Sequence, residues 1–447
     1  MPTAPANALD AGEDFCAPRL IFWIALVLRI LVITVGHTYR IRPLQDHFQF
    51  GWEMGRVARA LSTGYGYADP FVGHTGPTAW VPPLYPLLMA TVFKIAGVYT
   101  AASAWILLAI NSVFSAAIVP AIYEIAARCY NRKVAIWSAW LWALYPAFLQ
   151  YAVHWVWEMS LTTMLFSFTL VLALRMRGIG ETDPSSDPQS ASRWLLFGFL
   201  WGLIALSNSS LLLFLPACGL WILFGASRKS IAVARAALAS LVFLAVIAPW
   251  IYRNWTVFHV FIPMRSNLGA EFCVGSGPGS NGFPVVATLP LVERDPKIMR
   301  YKALGEIAWV HKQGAKAKAY IAAHKAHFAR ITLKRIYFFW VSVPHPDERS
   351  PWAEFLRELN YCFLSITGCL GLLLSLRNRI PAAWLFAWAF VLLPLTYYFV
   401  TVNARFRHPL EPLIAILTVY LFQSARPRRQ VVTSRITSHS PPSPRLA

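Results

Sequence analysis

Long apolar runs recur along this 447-residue chain and limit what it can fold into. A run of roughly 18 or more apolar residues makes a helix long enough to cross about 30 Å of hydrocarbon. Hydrophobic residues make up 57% of the chain and charged residues only 13%, which is too little charge to cover a soluble protein of this size. The sequence therefore predicts an all-α polytopic membrane protein.

The predicted helices alternate across the membrane. Clusters of Lys and Arg stand beside the ends of alternate spans, in "ARCYNRK", "RMRG", "SRKS", "LRNR" and "RPRR". Because such clusters mark cytoplasmic ends, they predict a multi-pass topology with both termini in the cytoplasm. A further apolar run, 84–97, is too short to cross and indicates an interfacial or re-entrant helix. The predicted spans, about ten in number, are 20–36, 101–127, 134–152, 158–175, 193–207, 210–225, 231–251, 357–376, 381–400 and 409–424.

The polar stretches between the spans define the predicted organisation. We expect one transmembrane domain over 19–425, between a cytoplasmic N-terminal segment, 1–18, and a disordered basic cytoplasmic tail, 426–447. Its connecting segments are a first outer loop at 37–100, a cytoplasmic linker at 177–192 and a long outer loop at 252–356. Within the long loop, residues 312–343 show helical spacing with Lys, Arg and His on one side, which is typical of a solvated basic face.

Net charge and cysteine spacing exclude several classes. The formal charge is +20, but the chain has no helix-turn-helix pattern or zinc-finger spacing, so we expect no nucleic acid partner. Much of the positive charge lies beside the apolar runs or in the long outer loop. The six cysteines are scattered without a CxxC, and they indicate neither a disulfide framework nor a zinc site.

An acidic residue follows the first span directly, in "TYRIRPLQDHFQFGWEMG". Asp46 stands there at the start of a predicted amphipathic helix, 46–63. A partly desolvated carboxylate at the membrane surface can accept a proton from an acceptor hydroxyl or amine. Asp is also a favoured helix N-cap. The residues alone leave both interpretations open. Glu53 is a further acid, for which a helix-surface position is the stronger interpretation.

Two charged residues lie within or at the ends of predicted spans. Glu158 stands near the outer end of its span, where an acid is costly unless it is partnered. It is a candidate site residue or a carboxylate in the first turn of a helix, where the macrodipole favours it. Arg29 falls near mid-membrane depth. An ion pair with Glu124 or Glu158 and a contact with substrate are both compatible with that position.

Cations gather at the predicted outer ends of two spans. Arg405, Arg407 and His408 lie in "NARFRHPLEP", and Arg253 ends another span, with Arg265 following. Arg carries a planar fork of donors that matches phosphate. Interfacial Arg can also anchor lipid headgroups. Two Arg and one His within four residues favour phosphate contact for 405–408.

Aromatic residues crowd the first outer loop, in "LSTGYGYADPF" and "WVPPLYPLL". Such residues form interfacial belts in membrane proteins, and they also stack on sugar rings. Both interpretations stay open here. The residues in question are Tyr65, Tyr67, Trp80 and Tyr85.

The order of these features resembles the GT-C superfamily of integral-membrane glycosyltransferases, in particular bacterial members similar to protein O-mannosyltransferases and lipid A aminoarabinose transferases. A single span precedes an acidic outer loop, a helix ending in "ALSTGYG" and the stretch "PPLYPLL". The resemblance continues in "APWIYRNWTVFHVFIPMRSNLG" and "NARFRHPLEPLIAIL". It implies a GT-C-like helical bundle and a polyprenyl-phosphate sugar as donor. It also implies transfer on the periplasmic side of a bacterial inner membrane.

The resemblance also implies roles for particular residues. Asp46 matches the family's first acidic position, while His47 stands where the family often has a second acid. We therefore expect no obligatory metal and no cofactor besides the lipid-linked donor. The expected catalytic residues are Asp46 and Glu158, and the expected substrate-binding residues are His47, Arg29, Tyr85, Arg253, Arg405, Arg407 and His408.

The resulting hypothesis is a membrane glycosyltransferase with an inverting mechanism. Asp46 deprotonates or orients an acceptor, and the outer cations hold the departing polyprenyl phosphate. The acceptor is a glycan, a lipid or a protein, and membrane lipids surround the chain. A transporter or lipid flippase is the main alternative, and it requires charged residues at both ends of a central path. A catalytically inactive relative that binds polyprenyl lipids is the third.

Overall fold

The computed structural model describes residues 16–43, 46–181, 187–284, 288–291, 295–341, 343 and 350–425. Within these ranges the regular structure consists of 17 α-helices and short 3-10 helices, without a β-strand. The all-α prediction is therefore confirmed. The predicted tail, 426–447, residues 1–15 of the predicted N-terminal segment and residues 182–186 of the predicted linker lie outside the described residues.

The α-helices divide into long apolar helices and shorter ones. Five of them carry windows of at least 18 residues that are apolar enough to cross a membrane, namely α1, α4, α7, α10 and α15 in the order given next. In chain order the helices are α1 (Cys16–Val35), α2 (Glu53–Ser62), α3 (Leu84–Ala96), α4 (Ala101–Cys129), α5 (Arg132–Leu144), α6 (Pro146–Val153), α7 (Met159–Met176), α8 (Ala191–Ser207), α9 (Leu215–Phe224), α10 (Lys229–Phe258), α11 (Leu268–Ser276), α12 (Pro296–Leu304), α13 (Glu306–Ala323), α14 (Lys325–Val341), α15 (Pro351–Arg377), α16 (Ala383–Phe399) and α17 (Glu411–Ser424).

One predicted span, 134–152, is broken in the structure. α5 ends at Leu144, and α6 begins at Pro146 after one extended residue, Tyr145. Proline has no backbone N–H with which to continue a helix, and the residue before a proline avoids the helical region. The prediction of one continuous span is therefore wrong here. The other predicted spans coincide with helical segments, and 210–225 combines a 3-10 helix with α9.

The bundle is organised around α4, which packs against α1, α5 and α7. Two glycines allow other helix pairs to approach closely. A Cβ on Gly371 of α15 would lie 2.1 Å from the carbonyl oxygen of Leu417 on α17. A Cβ on Gly198 of α8 would lie 2.1 Å from the carbonyl oxygen of Ala239 on α10. Small residues at such crossings let helix backbones come into contact within a membrane.

An outer layer covers one end of the bundle. It consists of α2 with the loop that follows it, up to residue 81, and of α11 to α13 from the long loop. These segments share an apolar core that includes Val57, Phe71, Trp80, Tyr301 and Trp309. The two predicted outer loops therefore fold together as one unit. The helical stretch predicted at 312–343 is divided between α13 and α14, which meet at His324.

The aromatic residues of the first loop mostly belong to this layer. Trp80 and Tyr85 are each 1% exposed, so they can neither form an interfacial belt nor stack on a bound sugar. Tyr67 donates its hydroxyl to the carbonyl oxygen of Val81, 2.8 Å away. Tyr65 is exposed and lies over the ring of His74. Their main role is packing of the outer layer.

Candidate active site

A cavity of about 700 Å³ lies between the outer layer and the bundle. Its walls come from the 48–54 turn, the two residues before α7, the segment after α8, residues 263–267, α11 and the 400–406 turn. Most of the lining is apolar or uncharged. The charged side chains that line it are Glu53, Glu158, Glu271, Arg265 and Arg405. Three carboxylates and two guanidinium groups therefore face one enclosed space.

The turn before α2 is shaped by unusual backbone conformations. Asp46, His47 and Trp52 all have positive φ, a region that non-glycine residues seldom adopt. Gly51 also has a φ of 77°, and a Cβ there would lie 2.7 Å from the carbonyl oxygen of Val156. Glycine is therefore required at this position. The result is a compact turn that places Trp52 and Glu53 on the cavity wall.

Asp46 lies behind this turn and does not line the cavity. Its carboxylate accepts a 2.5 Å hydrogen bond from Nε of Arg56, whose side chain is buried. Although partial burial opposes the effect, the Arg56 guanidinium holds the pKa of Asp46 below its usual value. α2 begins only at Glu53, with Trp52 at its N-cap. The N-cap interpretation of Asp46 is therefore wrong.

His47 also lies away from the cavity. Its ring stacks on Tyr99 with centroids 4.1 Å apart. Its Nδ1 is 3.8 Å from the Asp46 carboxylate. Burial lowers the pKa of His47, which favours the neutral ring despite this carboxylate. The predicted contact with substrate is not supported by this position.

Glu158 lies on the cavity wall, directly before α7. It occupies the N-cap position of that helix, but its side chain makes no capping hydrogen bond. The residue is 8% exposed. Burial raises the pKa of its carboxyl, and the guanidinium of Arg405 partly offsets this. Glu158 is thus a buried carboxyl that holds its proton more tightly than an ordinary surface carboxyl.

Arg405 lines the same cavity as Glu158. Its guanidinium carbon lies 3.4 Å from the centroid of the Trp157 ring. Among the described residues, its guanidinium makes no hydrogen bond, and no carboxylate comes within ion-pair distance. Burial lowers the pKa of Arg405, while the carboxylate of Glu158 acts in the opposite direction. A desolvated cation with unused donors is suited to binding an anion.

Arg407 and His408 point away from the cavity into the bundle, where both are fully buried. Nδ1 of His408 lies 2.6 Å from a carboxylate oxygen of Glu411. Arg407 lies 3.5 Å from the other oxygen of Glu411 and donates to Ser365 Oγ at 2.8 Å. Both side chains are therefore enclosed in the bundle beside Glu411, and neither lines the cavity. This position does not support the predicted phosphate contacts of Arg407 and His408.

Arg253 secures the first loop and is absent from the cavity wall. It donates to the carbonyl oxygens of Thr78 at 2.6 Å and Tyr67 at 2.7 Å. This position does not support the predicted contact of Arg253 with substrate. Arg265 donates through Nε to the carbonyl oxygen of Trp80 at 3.1 Å, and it lines the cavity. The sequence analysis chose Arg253 and not Arg265 as a substrate-binding residue. In the structure Arg265 lines the cavity and Arg253 does not.

Arg29 and Tyr85 are structural. Arg29 is fully buried and joins α1 to α4 and α5, donating to Ser115 Oγ and to the carbonyl oxygens of Trp142 and Ala143. It pairs with no carboxylate in the described part of the chain, so the predicted ion pair with Glu124 or Glu158 is wrong. Tyr85 donates its hydroxyl to Asn111 at 3.0 Å. Neither residue lines the cavity.

Two carboxylates on the cavity wall, Glu271 and Glu53, were not predicted as site residues. Glu271 of α11 lines the cavity and accepts a 3.0 Å hydrogen bond from Asn267, and burial raises its pKa. Glu53 reaches the cavity because the turn before it is so tight. The available signal was the scarcity of acids, with only 20 in the chain. No group of three His, Cys, Asp or Glu side chains among the described residues is arranged to hold a metal ion.

Comparison with known proteins fits this architecture. The family model described as dolichyl-phosphate-mannose-protein mannosyltransferase matches residues 80–253. No curated protein sequence matches the chain. The archaeal oligosaccharyltransferase AglB from Archaeoglobus fulgidus, solved with an inhibitory peptide and a dolichol-phosphate, is similar with a TM-score of 0.55 and 12% identity, covering 92% of this chain and 50% of AglB. The chain has the GT-C fold.

Two further structures are similar to this GT-C chain. An Archaeoglobus fulgidus oligosaccharyltransferase tethered with an acceptor peptide has a TM-score of 0.52 and 14% identity, covering 91% of this chain and 49% of the other. ArnT from Cupriavidus metallidurans bound to undecaprenyl phosphate has a TM-score of 0.39 and 12% identity, covering 92% and 78%. The chain thus spans about half the length of the oligosaccharyltransferases it matches.

Proposed function

We propose that the chain is a membrane glycosyltransferase that takes a sugar from a polyprenyl-phosphate carrier. The observation that carries this proposal is the pair of Glu158 and Arg405, a buried carboxyl and a guanidinium without hydrogen bonds on one cavity wall. The family match over residues 80–253 supports it. So does the GT-C fold shared with AglB, whose structure contains a dolichol-phosphate. The acceptor is a glycan, a lipid or a protein.

In this proposal the phosphate of the donor lies against Arg405 and Arg265. The acceptor oxygen or nitrogen attacks the anomeric carbon of the sugar, and the bond from that carbon to the phosphate oxygen breaks. The electron pair of the broken bond stays on the polyprenyl phosphate, where the two guanidinium groups stabilise it. Attack from the face opposite the phosphate inverts the anomeric configuration.

Glu158 is the base in this scheme. It accepts the proton that the acceptor loses, and its raised pKa makes it a stronger base than an ordinary surface carboxylate. Asp46, the base expected from the resemblance, is less suited because Arg56 occupies its carboxylate and the cavity does not reach it. We assign Asp46 to positioning, since it fixes the turn that carries Trp52 and Glu53.

We further propose that the cavity opens on the periplasmic side of a bacterial inner membrane, with both termini in the cytoplasm. The positive clusters beside the spans support this orientation. A polyprenyl-phosphate donor would then enter from the outer leaflet. We expect no metal and no cofactor other than the lipid-linked sugar.

The proposal is tested by sugar transfer in membranes that contain the full chain. A panel of radiolabelled polyprenyl-phosphate sugars is supplied to the wild type and to Glu158→Gln at equal folded protein. Transfer by the wild type that is lost in Glu158→Gln supports the proposal. Absence of transfer, together with movement of an intact labelled donor across sealed vesicles, would instead identify a transporter or flippase.

A further inference from the structure

A basic surface lies on α13, outside the candidate active site. From residue 296 to residue 341 the chain contains ten Lys and Arg but one acid, Glu306. That acid is turned inward, accepting hydrogen bonds from Thr78 Oγ1, Ser266 Oγ and the Tyr301 hydroxyl. Its charge is therefore buried at a junction of the outer layer. Lys297 pairs with Asp295, just before this stretch. α13 itself contains no acid other than Glu306 to offset its lysines.

The exposed side of α13 carries three of these cations, with Lys312 and Lys316 along one edge and Lys318 at the other edge, roughly 120° round the helix from Lys312. Lys312, Lys316 and Lys318 are exposed, and none makes an ion pair or a hydrogen bond among the described residues. We call these three side chains the basic face. Small residues, including Ala315 and Ala319, lie between them. Lys312 and Lys316 are one helical turn apart, about 6 Å along the axis.

The basic face points to water and not to lipid. α13 exposes no large hydrophobic side chain, because Trp309 and Val310 are buried in the outer layer. The neighbouring α14 differs, since its Leu333 is 67% exposed and its Tyr337 is 57% exposed beside basic residues. Helices that lie on a membrane need such apolar anchors next to their cations. Charge is thus the main feature that α13 offers to a partner.

The basic face lies one helix away from the cavity. α13 packs on α11 where Gly269 meets Gly314, and a Cβ on Gly269 would lie 2.7 Å from the carbonyl oxygen of Val310. On its other side α11 lines the cavity with Leu268, Glu271 and Val274. A long molecule bound along α13 would therefore have its end near the reaction site.

We propose that the basic face binds an anionic glycan, so that the acceptor is a chain of sugars bearing repeated negative charges. This rests on the proposed function, because it names the class of acceptor for the same site. The exposed face has no aromatic side chain on which nucleic acid bases would stack. Several unpaired lysines attract a polyanion at long range and hold it without a shaped pocket.

The test measures binding of dextran sulfate and neutral dextran to the full chain in nanodiscs of zwitterionic lipid. Dextran sulfate should bind, with an affinity that falls as salt is added, and neutral dextran should not. The variant K312E/K316E/K318E should bind dextran sulfate roughly tenfold more weakly. The variant K312R/K316R/K318R, which keeps the charge, should bind like the wild type.

A matched control makes the same change in net charge elsewhere on the predicted outer side. R40E/R42E/K94E alters three exposed cations outside α13 and should retain wild-type binding within about twofold. Equal weakening by this control, or unchanged binding by K312E/K316E/K318E, would overturn the proposal. Equally tight, Lys312-dependent binding to phosphatidylglycerol vesicles would show a membrane contact instead. The binding assay does not depend on sugar transfer. A failed transfer assay would therefore count against the proposed function and not against binding of a polyanion to the basic face.

Discussion

Two acidic regions of the chain differ in how their charge is used. Around Asp46, the carboxylate is paired with Arg56 at 2.5 Å and lies near Arg59 and His47. Around Glu158, the carboxyl is buried on the cavity wall, and the guanidinium of Arg405 beside it makes no hydrogen bond. In the first region, the charged side chains pair with one another and hold a turn in place. In the second region, they remain available to a ligand.

This comparison shows that the ion-pair and hydrogen-bond partners of an acidic residue indicate its role better than its position in the sequence does. Asp46 occupies the position that the GT-C resemblance assigns to an acid, yet its carboxylate already accepts a hydrogen bond from Arg56. A buried charge without a partner costs free energy, so its presence indicates a ligand that completes it. The same contrast recurs within the 3-10 helix Ala404–Leu410, where Arg407 has an ion-pair partner in Glu411 and a hydrogen bond to Ser365, and Arg405 has neither kind of partner among the described residues.

Among substitutions of the cations, the largest effect is expected for Arg405→Ala. Loss of the cation should lower kcat for sugar transfer by roughly 10²- to 10³-fold, because it stabilises the leaving phosphate in the transition state. Arg405→Lys should recover part of this loss, since it keeps the charge without the planar fork. Steady-state transfer rates measure both. An unchanged kcat in Arg405→Ala would remove Arg405 from the site.

A large effect on stability is expected for Glu411→Gln. The change leaves Arg407 without its carboxylate inside the bundle, so the free energy of unfolding should fall by about 3–5 kcal/mol. Transfer per folded molecule should change little, because the pair does not reach the cavity. Thermal unfolding in detergent measures the loss. The matched control is Glu124→Gln. Unlike Glu411, Glu124 is partly exposed, as are its partners Arg128 and Arg175, so the expected loss is about 1 kcal/mol or less.

Strong loss of transfer by Glu411→Gln at unchanged thermal stability would contradict this assignment. It would mean that the buried pair acts in the reaction. The contrast between Arg405 and Arg407 would then fail.

A smaller effect is expected for Asp46→Asn. Losing the charged partner of Arg56 should lower the free energy of unfolding by about 1–2 kcal/mol. Transfer by the folded protein should fall less than roughly tenfold, because the turn loosens without losing a reacting group. Urea titration and transfer at matched folded protein measure the two effects. A collapse of transfer with unchanged stability would return the base to Asp46.

The smallest effect is a shift in pH dependence. Glu158 must be ionised to accept a proton, so kcat/KM should rise with pH through its raised pKa. The charge of Arg405 lowers that pKa, so Arg405→Ala should move the rise to higher pH. Arg405→Lys should leave it near the wild-type position. An identical profile in Arg405→Ala would show that Glu158 is not the titrating group.

The sequence allowed most of the fold to be predicted. Apolar runs defined the long helices because span length and hydropathy are local properties. The break at Pro146 was also readable in principle, since proline lacks the backbone N–H that continues a helix and disfavours the helical region for the residue before it. The joining of the two outer loops was not predicted, because it depends on contacts such as those of Glu306 with Thr78 and Ser266 across the chain.

The site was predicted only in part. The sequence analysis named Glu158 and Arg405 as site residues, and both line the cavity. It also named Arg407 and His408, which belong to the same 3-10 helix as Arg405, Ala404–Leu410, but point in other directions. In such a helix successive residues are about 120° apart, so neighbours in the sequence face different ways. Glu271 was missed because its place depends on the packing of Gly269 against Gly314. No local pattern reports a contact of that kind.

The most direct measurement compares Glu158→Gln and Asp46→Asn in single-turnover sugar transfer, at saturating donor and equal folded protein. The account predicts that Glu158→Gln slows transfer by roughly 10³-fold, as expected for loss of a general base. It predicts that Asp46→Asn slows transfer less than roughly tenfold. The reverse order, with Asp46→Asn inactive and Glu158→Gln near wild type, would contradict it.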